Sequence, residues 1–307
     1  MLGEKGLCSS FVIIKKSGAG SIVVGCSKTE KAQNEDYCDL YTGTNLTAIA
    51  IADGLGSSTD AHIASRLAVE SFLNNVKSAD SRGKVSLNHI DIRRFWENTV
   101  KNLRGYYEEN KRNYMNKSDV LQTTLITLIE LKDRYEVSYI GNGSIWHIRG
   151  DFWRFWNKRW PWCMSDLMIG HSFLDQNGRE VLYGFLEPTG LTSSMSIKQL
   201  TVWKDTYCGE VFILSTDGIS SSDHLKVGRD TSHKLWIEVN PHIESLINNG
   251  LKEYFEGIFN KSGENTQLLK KVLEKFLNER TFDDDATLGI IMSNKTIEHF
   301  LNKNTPS

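Results

Sequence analysis

The sequence has little proline, no paired cysteines and no long apolar run. Only four prolines occur in 307 residues, and hydrophobic residues make up 39% of the chain, which excludes a disordered or low-complexity protein. None of the five cysteines belongs to a C-x-x-C pair or a zinc-type spacing, so we expect reduced, structural thiols and a cytoplasmic location. Because no apolar run reaches the length of a membrane span and no signal pattern opens the chain, we predict no membrane association.

An excess of basic charge is also absent. The formal net charge is −2 and the isoelectric point is near 6.5. Proteins that bind nucleic acids or anionic membranes usually carry clustered lysine and arginine. Nucleic acid is therefore not a predicted partner.

The chain contains no repeat and no linker-like segment. We therefore predict a single domain over residues 1–307, with a core at about 11–293 and a polar C-terminal tail at 294–307.

The apolar patterns predict two groups of strands, with helices between and after them. We expect a hairpin within 11–26, an antiparallel meander of four strands after Thr123, and helices over roughly 232–278. This order predicts an α+β fold in which helices cover stacked sheets.

One carboxylate ends a short apolar strand. Asp53 follows the run Ile49–Ala52 and precedes Gly54, so a rigid strand presents the carboxylate while the next carbonyl can point the same way. A carboxylate beside a carbonyl suits a hard cation. An ordinary Asp-Gly turn, which needs no metal, is the alternative.

Other acids occupy similar positions at strand ends. Asp36 lies where a loop becomes a strand, Asp217 follows the strand FILST, and Asp284 and Asp285 precede the strand ATLGIIM. Carboxylates gathered at one sheet edge repel each other unless cations neutralise them. Two divalent ions would resolve this repulsion and could activate water for attack on a phosphoryl group, and oxygen ligands favour Mg²⁺ or Mn²⁺ over zinc.

The order of these motifs resembles that of the PPM-type, or type 2C, metal-dependent protein phosphatases, over about residues 20–293. The matching segments are NEDY, ADGLG, STDG and DDAT. The resemblance implies an α-β-β-α sandwich, two Mn²⁺ or Mg²⁺ ions, phosphoserine or phosphothreonine protein substrates, and a cognate kinase as a candidate partner. It implies that Asp53, Gly54, Asp217 and Asp284 hold the metals, with Asp285 as the second choice for the last position, and that Asp36 orients a metal-bound water.

Two departures from the family pattern bear on activity. Lys31 stands where the family usually has an arginine that grips the substrate phosphate, and lysine lacks the two-pronged guanidinium. Asn142 replaces an acid that can help to hold a third metal, so we expect a third ion to bind weakly or not at all. The alternatives are a phosphatase-like binding module with weakened catalysis and another two-metal phosphoesterase, such as a nuclease.

Two regions carry no motif of their own. Five of the eight tryptophans lie within 146–162, where they form either a docking surface or the packed side chains of a hairpin. Residues 163–208 match little of the family and lie where it often has a variable flap, although 164–169 could be one more strand.

Overall fold

The computed structural model describes residues 21–29, 31–81, 91–150, 164–176, 180–191, 197–220, 226–229, 235–238, 241–260, 265–282 and 284–304. Its first elements are β1 (Ser21–Lys28), β2 (Asp36–Thr42), β3 (Thr47–Asp53), α1 (Ala61–Ser81), α2 (Ile92–Glu109), β4 (Leu125–Glu130), β5 (Arg134–Ile140) and β6 (Ser144–Arg149). Then follow β7 (Met164–Asp166), β8 (Ser172–Leu174), β9 (Glu180–Leu182), β10 (Leu186–Glu187), β11 (Gly190–Leu191), β12 (Lys198–Trp203), β13 (Glu210–Ser215), α3 (Asp217–Ser220), β14 (Lys226–Arg229) and β15 (Leu235–Glu238). The last are α4 (Pro241–Ser245), α5 (Lys252–Asn260), α6 (Asn265–Asn278), β16 (Ala286–Ser293) and α7 (Asn294–Asn304).

Ten of the described strands form two antiparallel sheets of five. The first sheet has the order β1-β16-β13-β6-β7, and the second has the order β12-β5-β4-β3-β2. Three small hairpins, β8–β9, β10–β11 and β14–β15, lie outside these sheets.

Both faces of the central strands are buried, which explains their continuous apolar runs. In β13, Phe212 and Leu214 pack between the two sheets, while Val211 and Ile213 face the helices on the outside. In β3, Ile49 and Ile51 point between the sheets. Its alanines face the other way and let α1 lie close to the sheet.

Helices cover the outer face of each sheet. The apolar sides of α1 and α2 pack on the second sheet, and Trp96 of α2 donates a hydrogen bond from Nε1 to Ser138 Oγ at 2.9 Å. Side chains of α4, α5, α6 and α7 pack on the first sheet. The prediction of two stacked antiparallel sheets flanked by helices is therefore confirmed.

The connection between β5 and β6 differs from the prediction. β4 and β5 pair as expected, but β6 pairs with β13 and β7 in the first sheet. The predicted four-stranded meander is therefore wrong. Gly141 and Gly143, with φ values of 110° and 116°, turn the chain from one sheet to the other in a way that apolar periodicity does not encode.

Two other boundaries also differ, whereas the strand predicted near 164–169 is present. Strand β15 occupies part of the segment predicted as helical from residue 232, so the helices begin at Pro241. The predicted tail contains helix α7, whose Ile297 is buried against the core. The region compared with a flap supplies β12 to the second sheet and β7 to the first, in agreement with a strand near 164–169.

Some predictions fall outside the described residues. These are the first half of the hairpin within 11–26 and four of the five clustered tryptophans; the fifth, Trp146, is buried in the core of the first sheet. None of the helices in the described ranges is both long and apolar enough to cross a lipid bilayer.

Candidate functional site

Four acids meet at one end of the sandwich, two from each sheet. Asp36 begins β2 and Asp53 ends β3, and these two residues are direct cross-strand neighbours in the second sheet. Asp217 follows β13 and Asp284 precedes β16 in the first sheet. The charges of Asp217 and Asp284 act on Asp53 across the sheet interface. We call these four residues the acid cluster.

The backbone around Asp53 is fixed by two threonines. The Asp53 amide donates to Thr124 Oγ1 at 2.9 Å, and the Asp53 carbonyl accepts from Thr124 N and Thr123 Oγ1, both at 2.8 Å. Gly54 then continues the strand pairing opposite Thr123. Residue 53 therefore does not begin a tight Asp-Gly turn, which was the alternative interpretation.

Gly54 is required by the close approach of α1. A Cβ atom at this position would lie 2.4 Å from the carbonyl oxygen of Ala61, the first residue of the helix. The Gly54 amide donates to the Glu35 carbonyl at 3.1 Å. The segment between β3 and α1 is thus held on both sides, and the Asp53 carboxylate is carried on a rigid element.

Asp36 is a buried acid with an incomplete set of partners. Its Oδ2 accepts a hydrogen bond from Thr216 Oγ1 at 2.7 Å, while its Oδ1 is buried without a donor among the described residues. Burial is the main cause that raises the pKa of Asp36 to about 7, and the charge of Asp217 adds to it. An unsatisfied buried carboxylate oxygen is a position where a cation or a proton is favoured.

The pKa of Asp53 also indicates a position that favours a cation or a proton. Burial, followed by the negative charges of Asp36 and Asp217, raises the pKa of Asp53 well above its ordinary value. With no cation, the cluster must take up protons to relieve this repulsion. A divalent ion would relieve it instead and would let the carboxylates stay ionised.

The two neighbouring acids before β16 have different surroundings. Asp285 is buried, and its carboxylate accepts hydrogen bonds from Thr29 Oγ1 and from the Glu35 amide, the latter at 2.7 Å. Asp284 is about half exposed, and its charge acts on Asp53. The exposure of Asp284 and the effect of its charge on Asp53 favour Asp284 as the acid that faces a metal. The hydrogen bonds of Asp285 instead anchor the loop before β2.

Lys31 contacts the edge of the acid cluster. Its Nζ lies 2.6 Å from Asp284 Oδ1, 2.9 Å from Glu35 Oε2 and 3.7 Å from Asp285 Oδ2. Partial burial lowers the pKa of Lys31, but hydrogen bonds to Asp284 and Glu35 outweigh this and raise it above the ordinary value. The predicted phosphate-binding lysine is thus close to the cluster and paired with one of its acids.

Asn142 reaches the cluster from the connection between the sheets. Its Nδ2 donates to Asp217 Oδ2 at 2.7 Å, so the amide acts on a cluster carboxylate directly. In the resemblance to the family pattern, this position is only a missing acid. The sequence also gave no direct indication of Thr216, although a hydroxyl residue immediately before Asp217 was a visible feature.

The donor set fits Mg²⁺ or Mn²⁺ better than a softer metal. The cluster offers carboxylate oxygens, one of which has no hydrogen-bond partner in the part of the chain that the structure describes, and Gly54, next to Asp53 in the chain, has a backbone carbonyl. Within the described ranges no three acidic, histidine or cysteine side chains form a ready-made metal cage. Mg²⁺ in proteins is commonly held by one or two carboxylates with water in the other positions, so a site of this kind does not need such a cage.

Several solved structures have a similar fold. The chain is similar to serine-threonine phosphatase 2C from Toxoplasma gondii (10% identity, TM-score 0.56, covering 94% of this chain and 98% of that one). It is also similar to the serine/threonine phosphatase PstP/Ppp of Mycobacterium tuberculosis (13% identity, TM-score 0.55, 89% and 99%). A third similar structure is the PstP catalytic domain with two manganese ions (14% identity, TM-score 0.51, 89% and 98%). At these identities the likeness shows the fold alone.

The sequence has no significant match among curated proteins. A sequence profile described as Protein phosphatase 2C, however, matches residues 27–278, which is most of the chain and includes Asp36, Asp53 and Asp217. The chain therefore belongs to the protein phosphatase 2C family.

Proposed function

We propose that the protein is a Mn²⁺- or Mg²⁺-dependent phosphatase that hydrolyses phosphoserine or phosphothreonine in protein substrates. The observation that carries this proposal is the convergence of two acids from each sheet on one end of the sandwich, in a chain of the protein phosphatase 2C family. The manganese ions in the PstP catalytic domain support a two-ion site. The cytoplasmic location and the cognate kinase stay predictions.

Each residue of the cluster has a role in the proposal. Asp53, Asp217 and Asp284 would hold the metal ions, together with the Gly54 carbonyl. Two bound ions would supply Lewis-acid activation of the phosphate and a water of lowered pKa for in-line attack. Asp36 Oδ1, which is buried without a donor among the described residues, would accept a hydrogen bond from that water and orient it.

Lys31 is proposed as the phosphate-recognition residue. Its ammonium group is exposed enough to be reached from solvent and lies beside Asp284. A single ammonium can neutralise a phosphate oxygen but cannot grip two oxygens as a guanidinium does.

Substitution of the central acids tests the proposal. We expect hydrolysis of an aryl phosphate and of a phosphothreonine peptide in the presence of Mn²⁺. Asp53→Asn and Asp217→Asn should each lower kcat/KM by at least about 100-fold, because each removes a charged oxygen that holds the ions. The control is Asp133→Asn, which removes an exposed acid from the β4–β5 turn at the opposite end of the sandwich. Unchanged activity in both cluster variants would refute the proposal.

A second candidate function is a phosphatase-like binding module with weakened catalysis. The ion pair between Lys31 and Asp284 favours it, because it places a protein cation on an acid that the enzyme needs for metal. Isothermal titration of Mn²⁺ beside the kinetic assay separates the two functions. Metal binding together with turnover supports the phosphatase, whereas metal and phosphopeptide binding without turnover supports the module.

A further inference from the structure

The turn that carries the chain from β5 to β6 reaches the acid cluster through one side chain. We call residues 141–143 the crossing turn. Asn142, at its centre, is 8% exposed and donates from Nδ2 to Asp217 Oδ2 at 2.7 Å. The orientation of the Asp217 carboxylate therefore depends on where the crossing turn holds this amide.

The crossing turn has little room to move towards the sheets. A Cβ atom on Gly141 would lie 2.5 Å from Thr124 Cβ, and one on Gly143 would lie 2.5 Å from the carbonyl oxygen of Ser215. Both glycines have positive φ values, so their backbone conformation is specific as well as enclosed. These contacts limit the turn on the side of the two sheets.

His171 holds the crossing turn by two hydrogen bonds. Its amide donates to the Gly141 carbonyl at 2.8 Å, and its Nδ1 accepts from the Gly141 amide at 3.1 Å. The side chain is 1% exposed, and burial lowers the pKa of His171, which keeps the ring neutral and leaves Nδ1 free to accept. The ring lies between Tyr139 and Tyr183, with centroid distances of 5.8 Å and 6.0 Å.

We propose that His171 is a positioning residue for the metal site. Its imidazole fixes the crossing turn, the turn fixes the amide of Asn142, and that amide orients the carboxylate of Asp217. The inference rests on the proposed metal-dependent function. Side chains that orient metal ligands by hydrogen bonds typically change metal affinity by about 10- to 100-fold when removed.

A pair of substitutions separates positioning from simple packing. His171→Ala and His171→Asn both remove the ring from between the two tyrosines. Asparagine, however, places its Oδ1 close to where His Nδ1 was, so it can still accept from the Gly141 amide. We expect the two variants to lose similar stability and to differ in metal affinity.

The measurement is isothermal titration of Mn²⁺ into the full chain, with thermal unfolding of each metal-free protein. His171→Ala should raise the Kd for Mn²⁺ by about 10-fold or more, and Asn142→Ala should do the same. His171→Asn should stay within about threefold of the wild type. The double variant His171→Ala/Asn142→Ala should be no weaker than Asn142→Ala alone, because both act on the same carboxylate.

The outcomes distinguish this inference from the proposed function. Wild-type affinity in His171→Ala, or equal weakening by alanine and asparagine, would overturn the positioning role while leaving the phosphatase proposal intact. A folded wild type that binds no Mn²⁺ would overturn both. Weak binding by His171→Ala, with recovery in His171→Asn, is the result that supports the inference.

Discussion

Metal binding and phosphate binding at the acid cluster both involve one lysine, Lys31. Lys31 was predicted to bind the substrate phosphate, and the structure places its Nζ 2.6 Å from Asp284 Oδ1. The same carboxylate is proposed to hold a metal ion. Because the ammonium group and a metal ion are both cations, they compete for this oxygen, and phosphate binding by Lys31 requires that it leave or share Asp284.

Removal of the lysine charge should change metal and phosphate binding in opposite directions. In Lys31→Met we expect Mn²⁺ to bind a few-fold more tightly, since a partly exposed ion pair contributes up to about 1 kcal/mol. Inorganic phosphate, measured as an inhibitor, should bind more weakly. Lys111→Met, which removes an exposed lysine paired with Glu108 on the protein surface, is the control. Weaker Mn²⁺ binding in Lys31→Met would contradict the competition.

The individual acids were easier to predict from sequence than their partners. Asp53 directly follows an apolar run, Asp217 follows one after two hydroxyl residues, and Asp36 lies where a polar loop meets a strand, and these patterns are visible without a structure. The sequence has no comparable pattern that indicates which residue a long, flexible side chain such as Lys31 contacts. The same holds for Asn142, whose donation to Asp217 depends on a turn between two sheets and not on any spacing along the chain.

The crossing turn shows why connections between elements were predicted less well than the elements. Apolar periodicity predicted β4, β5 and β6 as strands, and the structure has all three. Periodicity does not say which sheet a strand joins. The deciding residues are Gly141 and Gly143, whose positive φ values allow the chain to leave the second sheet and enter the first.

Addition of a methyl group to this turn should be costly. In Gly143→Ala the new Cβ would lie 2.5 Å from the Ser215 carbonyl oxygen, at a φ of 116° that alanine rarely adopts. We expect a loss of at least about 2 kcal/mol in the free energy of unfolding, measured by urea denaturation.

A matched glycine substitution provides the control for this loss. Gly105 lies within α2, and a Cβ there would meet no atom of the described residues within 4 Å. Gly105→Ala should therefore stabilise the protein by about 0.5–1 kcal/mol, because alanine restricts the unfolded chain and favours the helix. A Gly143→Ala variant as stable as the wild type would show that the turn tolerates a side chain.

At the scale of the whole molecule, polar contacts join the two sheets at both ends. The acid cluster draws on both sheets at one end. At the other end Ser21 Oγ of the first sheet donates to Glu130 of the second at 2.6 Å, and Tyr135 Oη donates to Glu210 at 3.3 Å. An apolar core lies between these two ends. The sandwich is therefore closed by titratable groups at each end, and its stability should depend on pH even where no metal binds.

Glu210 allows this dependence to be measured away from the metal site. Burial is the main cause that raises the pKa of Glu210 to about 7, whereas glutamate in the unfolded chain titrates near its ordinary value of about 4.3. Between these values the folded protein holds a proton that the unfolded chain has released. The free energy of unfolding should therefore fall as the pH rises from about 4.5 to 7.

The substitution Glu210→Gln removes the titrating carboxyl group, and the glutamine amide retains the shape of a neutral carboxyl group. Near pH 4.5 the variant and the wild type should be similarly stable. By pH 7.5 the variant should be more stable than the wild type by about 1–3 kcal/mol. Only the folded wild type must either bury an ionised carboxylate or keep a proton that its unfolded chain has released. Urea unfolding at several pH values gives this difference, and titrations common to both proteins cancel. A difference that does not change with pH would mean that Glu210 is already ionised in the folded protein at low pH and that its contacts with Tyr135 and nearby Lys204 stabilise the charge.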